Sequence, residues 1–185
     1  MSYVILEGSA RPDSSSGLVA RHLARVLEEE AGTAVQRIHP GHHLSALTDG
    51  AVAGGPVEAF QPVVDQVAAA DGVVLVTPEY HGSFSGVLKL VLDNLGYPSV
   101  LRDKPAGVVA LGAARFAGAR AADSLLSVLA HIRARPFGRY LFFPAIQDQL
   151  DEGGEIQSAE LRREVADYVA ELDRFCRCTR WAQEG

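Results

Sequence analysis

The most constraining feature of this chain is Val73 to Val76, a short all-apolar run set between Gly72 and Thr77-Pro78. A strand with no polar face suits the interior of a parallel sheet covered by helices on both sides. Continuous apolar runs recur at Tyr3 to Leu6, Ala106 to Leu111 and Tyr140 to Ile146, a further strand is expected at Val35 to Ile38, and helix-period stretches separate them. The first helix sets Val19, Leu23, Val26 and Leu27 on one face and Arg21, Arg25, Glu28 and Glu29 on the other, and Gly32 ends it. The next begins near Pro56 or Pro62, with Val63, Val64, Val67 and Ala68 inward. Leu88, Val91, Leu92 and Leu95 mark a third, closed by Gly96 and Pro98. Ala122, Leu125, Leu126, Leu129 and Ile132 mark a fourth, and Leu161, Val165, Tyr168, Leu172 and Phe175 form the stripe of the last. His39 to Pro56 reads as a long Gly-rich connection, the main irregular segment.

Five strand-then-helix units with right-handed crossovers leave few topologies. The expected one is a doubly wound five-stranded parallel sheet of order 2-1-3-4-5, helices on both faces, formed by residues 1–185 as one domain. Ligands of such sheets sit beyond the C-terminal strand ends, at the switch point between strands one and three. The loops that begin at Gly8, Thr77 and Gly112 therefore carry the function.

Charge narrows the partners. With 23 acidic and 17 basic residues the formal charge is -6, which supplies no footprint for nucleic acid or an anionic membrane. No apolar stretch reaches the roughly 18 residues of a membrane span, and the opening MSYVILEGSARP lacks a basic leader, so a cytoplasmic protein is expected. Cys176 and Cys178 are too close for an ordinary disulfide and too few for a zinc site, and they read as two plain thiols on the last helix.

The first loop, Gly8 to Leu18, places Ser9, Arg11, Ser14, Ser15 and Ser16 between a strand end and a helix N-terminus. Free N–H groups, the positive helix end, hydroxyls and a guanidinium together suit a phosphate. A plainer reading makes it a solvated loop with Ser16 as the helix N-cap. Neither a G-x-x-x-x-G-K-[ST] loop nor a G-x-G-x-x-G fingerprint is present. In the second loop Pro78, Glu79, Tyr80, His81, Gly82 and Ser83 form an exposed turn. Its backbone can approach a flat heterocycle, with Tyr80 as an aromatic wall. Gly112 opens a third loop of small residues that includes Arg115 and Arg120.

These residues resemble the NAD(P)H-dependent FMN reductases of the flavodoxin-like superfamily, which include quinone and azo-dye reductases, over nearly the whole chain. The Gly-Ser-x-Arg-x-x-Ser loop of that family matches Gly8, Ser9, Arg11 and Ser14. Its Pro-Glu-Tyr segment with a following Gly-x-Leu-Lys and a later Asp matches Pro78, Glu79, Tyr80, Gly86, Leu88, Lys89 and Asp93. Ala70 to Thr77 and the FPAIQDQLDEGGEI segment also resemble family members. Three departures stand out: His81 and Leu90 where Asn is frequent, and Arg120 without the Gln that usually follows two residues later.

The resemblance implies FMN as cofactor, NADPH or NADH as hydride donor, and a small-molecule electron acceptor such as a flavin or quinone. It implies a homodimer or homotetramer, with the His39 loop and the helix after Gly86 as interface candidates. Ser9, Arg11, Ser14, Ser15 and Ser16 would hold the phosphate, and Pro78 to Ser83 with Gly112 the ring. No catalytic side chain is expected, because the ring accepts the hydride and the protein positions it.

Other chemistries fit less well. GSFSG puts Phe84 where a hydrolase nucleophile would stand, and no H-E-x-x-H pair occurs. His39, His42 and His43 read as solvated loop histidines rather than a metal site, and Asp148, Asp151, Glu152 and Glu155 as charges for solubility and the helix dipole. A flavodoxin-type electron carrier would want a Thr-rich phosphate loop and a more acidic balance. A receiver module would want an Asp where strand three ends in Val76-Thr77-Pro78. A pathway-specific flavoenzyme with an unusual substrate is the remaining alternative.

Overall fold

The computed structural model describes the backbone of every residue except Thr33, Phe116, Ala117, Glu152 and Gly185, and side chains other than those of residues 30, 31 and 180–184. Six strands run in chain order: β1 (Ser2–Glu7), β2 (Ala34–Ile38), β3 (Gly72–Tyr80), β4 (Ser83–Phe84), β5 (Pro105–Leu111) and β6 (Arg135–Phe143). The helices are α1 (Ser15–Ala31), α2 (Leu44–Ala53), α3 (Gln61–Ala69), α4 (Gly86–Asp93), α5 (Ala119–His131) and α6 (Ala159–Glu184).

The parallel strands lie in the order β2-β1-β3-β5-β6, which is the expected 2-1-3-4-5 winding. One correction concerns the count, since the sheet has six strands rather than five. β3 runs past Thr77 to Tyr80 and folds back through His81 and Gly82 into the antiparallel β4, pairing Glu79 with Phe84 and Tyr80 with Ser83. Both turn residues have positive φ, 50° and 76°, the two-residue geometry whose twist matches that of a hairpin.

Side chains alternate across the sheet as a period of two requires. Val4, Leu6, Val73, Leu75, Val108 and Ala110 face α2 to α5, packing on Leu47, Val67, Leu88 and Leu125. Tyr3, Ile5, Val74, Val76, Val109 and Leu141 face the opposite way, onto Val19, Leu23 and Leu27 of α1 and Val165, Tyr168 and Leu172 of α6. The central run Val73 to Val76 is buried on both faces.

A second correction concerns His39 to Pro56, which is not irregular: a 3-10 turn at Pro40–His43 leads directly into α2. The many small residues and glycines hid that helix, which buries only Leu47 and Gly50. Asn94, capping α4, donates to the Leu47 carbonyl and so ties the two helices together. β6 begins at Arg135, earlier than its apolar run, because as an edge strand it is fully buried only at Leu141 and Phe143 and tolerates Pro136. Cys176 is buried and Cys178 exposed, on opposite sides of α6. Among the described residues no helix is long and apolar enough to cross a membrane.

Candidate functional site

The C-terminal ends of β1, β3 and β5 bring the three sequence-identified loops to one edge. After β1, Gly8 donates its N–H to the Val76 carbonyl, which holds the first loop against β3. The loop then caps α1. Ser14, not Ser16, is the N-cap: its Oγ accepts from the Gly17 N–H at 3.1 Å. Ser15 and Ser16 are the first two helical residues, so helix geometry leaves their N–H groups without an acceptor in the helix. Ser9 is buried, and its Oγ accepts from the Arg11 N–H at 3.3 Å. Both hydroxyls keep a proton to donate. Free N–H groups, two such hydroxyls and the Arg11 guanidinium at a positive helix end are the donor set a phosphate monoester takes.

The second loop is the β3–β4 hairpin. Pro78 pairs within the sheet opposite Leu111, so it anchors the hairpin rather than lining a turn. Thr77 beneath it accepts the Ser85 N–H, and Ser85 in turn caps α4 through the Leu88 N–H. Ser83 is engaged away from the loops: its hydroxyl lies 3.1 Å from that of Ser124 on α5. Tyr80 remains 44% exposed, a free aromatic face at the mouth of the site. Arg11 Nη2 donates to the Tyr80 hydroxyl at 3.3 Å, so the first loop and the hairpin meet.

Glu79 joins the hairpin to the third loop. Its nearly buried carboxylate accepts the Gly118 N–H at 2.7 Å and the Arg120 guanidinium at 2.8 and 3.1 Å. Burial pushes its pKa up, but the Gly118 N–H and Arg120 outweigh that and hold it below the ordinary carboxylate range. Gly112 sits at the end of β5, where its N–H is taken by the Phe143 carbonyl and its own carbonyl accepts from Ile146. It therefore offers proximity rather than a free donor. Gln147 also donates to the Ala113 carbonyl of this loop.

The remaining segments differ from their sequence reading. His39 is no solvated loop residue: its Nδ1 lies 2.8 Å from a carboxylate oxygen of buried Glu7. His43 packs edge-on against Phe60. Among the described residues no group of three or more His, Cys, Asp or Glu side chains is arranged to hold a metal ion. The acidic stretch is structural, Asp151 accepting the N–H groups of Gly153 and Glu155 while Glu155 forms a forked pair with Arg25 of α1. Glu152 lies outside the described residues. A cavity of about 580 Å³ near Leu92, Tyr97 and His131 opens at the N-terminal ends of β5 and β6, the wrong edge for the switch point. Sequence reasoning placed Arg120 in the third loop without its tie to Glu79 and missed Glu7 and Ser124 as supports of the site, and only the isolated acid at the end of the first apolar strand hinted at Glu7.

A donor-rich loop that meets an aromatic hairpin over the switch point of a 2-1-3-4-5 sheet defines a flavodoxin-like protein. The model of the family described as NADPH-dependent FMN reductase matches residues 1–148, and the chain belongs to that family. A Bacillus protein named NADPH azoreductase is 29% identical over 95% of this chain and 92% of its own length. The quinone reductase of Escherichia coli is 30% identical, over 84% of this chain and 85% of the relative. An oxidoreductase structure from Corynebacterium diphtheriae superposes with a TM-score of 0.80 at 19% identity, covering 94% of both chains. The protein is thus an oxidoreductase that works with FMN and a reduced nicotinamide.

Proposed function

We propose that the protein takes a hydride from NADPH or NADH and delivers electrons to a quinone, an azo compound or free flavin in a ping-pong cycle, with all its own side chains in positioning roles. The observation that carries this reading is the convergence of Arg11 and Tyr80, which brings an anion site and an aromatic wall to one place. FMN, when bound, supplies the ring that accepts the hydride and passes the electrons on.

Ser9, Arg11 and Ser14, with the N–H groups of Ser15 and Ser16, would bind the phosphate. The backbone of Pro78 to Ser83 would support the ring, Gly112 allowing close approach from the third loop. Glu79 is engaged with Gly118 and Arg120 and holds no proton in reach of a reaction at neutral pH, its pKa being depressed. No side-chain acid or base is required, because positioning the donor against the ring is the demanding step and protons reach the reduced product from water.

The finer parts of the proposal are a cytoplasmic location, where reduced nicotinamides are available, and a homodimer or homotetramer. The test is an absorption spectrum of purified protein reconstituted with FMN, followed by anaerobic NADPH. The reading predicts a bound-flavin spectrum that bleaches on NADPH addition and recovers with a quinone. A bound flavin that NADPH does not bleach would make the protein an electron carrier instead.

A further inference from the structure

Glu7 is a buried carboxylate that the reaction does not use. It is the last residue of β1, 3% exposed, and it lies on the sheet face that α1 covers. Arg37 Nη1 reaches Oε1 at 2.9 Å and His39 Nδ1 reaches Oε2 at 2.8 Å, both partners coming from the C-terminal end of β2. The other neighbour of Oε2 is the first turn of α1, where a Cβ added to Gly17 would lie 3.4 Å away. The carboxylate therefore sits beneath the N-terminal turn whose free N–H groups await the phosphate.

The same cluster touches the phosphate loop from a second direction. A Cβ on Gly41 would fall 2.6 Å from the Ala10 carbonyl oxygen and 2.7 Å from His39 Nε2, so the turn after His39 can lie against the loop only because residue 41 is glycine. Glu7 precedes the loop in the chain, and His39 and Gly41 brace it from β2.

A bare carboxylate at this place would compete with the phosphate for the positive end of α1 and repel it through a poorly screened interior. We propose that the Glu7–Arg37–His39 cluster is a charge-balanced prop under the phosphate loop, and that Arg37 and His39 act as positioning residues setting how strongly the protein prefers FMN to riboflavin. This rests on FMN being the bound flavin. Neutralisation by Arg37 makes the prop electrically silent toward the phosphate.

The experiment measures dissociation constants of FMN and riboflavin by fluorescence titration for the full chain and three variants. Arg37→Met is expected to weaken FMN about tenfold while riboflavin, which carries no phosphate, changes less than about twofold. Glu7→Gln, which keeps Arg37, is expected to shift FMN the opposite way, tightening it by about threefold or more with riboflavin again unmoved. In the pair Glu7→Gln/Arg37→Met the FMN constant should return to within about threefold of the parent, because neither charge remains. Equal weakening of both flavins by Arg37→Met, or no recovery in the double variant, would make the cluster mere scaffolding and overturn the proposal. Should Arg37→Met fail to fold, Glu7→Gln alone decides it by the sign of its FMN shift. A parent protein that binds riboflavin as tightly as FMN would overturn the phosphate-site reading itself, which separates the two failures.

Discussion

The first loop, proposed to hold a phosphate, and the β3–β4 hairpin, proposed to support a ring, meet at one edge of the sheet but are held differently. In the first the donors are arranged by near neighbours, Ser14 capping the helix three residues on and Ser9 accepting from Arg11, while the loop as a whole leans on β3 through Gly8 and on the turn after β2 at Gly41. The second is held from a distance, by Glu79 reaching Gly118 and Arg120 about forty residues later and by Ser83 meeting Ser124. Donors arranged by near neighbours outlast the loss of one exposed side chain, so such a mutation in the first loop should register in binding. A hairpin held by long-range ties should instead register changes in stability and in which acceptors it admits.

The contrast is tested most strongly at Arg11, which is exposed and whose one side-chain bond goes to Tyr80. Arg11→Ala should weaken FMN by about 1.5 to 3 kcal/mol, roughly ten- to a hundredfold, the worth of a bond to a charged group. The melting temperature of the flavin-free protein should hardly move. A collapsed fold, or an unchanged dissociation constant, would erase the distinction between the two regions.

Glu79 tests the other side. Removing it in Glu79→Ala strands the Gly118 N–H and should lower stability by about 1 to 2 kcal/mol, a figure kept modest because Arg120 is mostly exposed and screened. Acid titration sharpens this. The folded carboxyl lies below its unfolded value, so its stabilisation is complete above about pH 4.3 and is lost as pH falls through the folded pKa. Wild type should therefore lose more stability between pH 5 and 3 than Glu79→Gln does, by denaturant unfolding. An equal loss would show that the latch carries no charge-dependent energy.

The smallest effect is expected in the turn itself. Gly82→Ala forces a Cβ onto φ of 76° and should destabilise by about 1 kcal/mol, for the backbone angle alone, since the nearest protein atom to that Cβ is the movable Arg120 side chain at 3.4 Å. His81→Asn should restore part of the loss in that background, Asn being easier than His in the left-handed region it occupies. Thermal melts of the single and double variants measure both.

The parallel winding and both core faces were legible because the apolar runs of the inner strands and each long helix's stripe are local patterns, Val73 to Val76 above all. α2 was not, since its burial rests on two residues and its tie to Asn94 spans 47 positions. In the first loop the capping role fell to Ser14 rather than Ser16, a choice made by where the chain leaves the extended region. Glu7, Arg37 and His39 come together only through the β1–β2 register, which pairs Ile5 with Arg37 and Leu6 with Ile38. The Glu79 latch has the same character: its partners lie beyond another strand, and no spacing announces them.

The central claim is that the hairpin positions the ring through its backbone and that no side chain there is a catalyst. Its most direct test is anaerobic single-turnover reduction of bound FMN by NADPH in Glu79→Gln and His81→Ala. The account predicts that the reduction rate stays within about tenfold of wild type, as expected when neither side chain transfers a proton in the rate-limiting step. A slowing of about a thousandfold with flavin still bound would reveal a side-chain catalyst of the usual acid–base magnitude and contradict the claim.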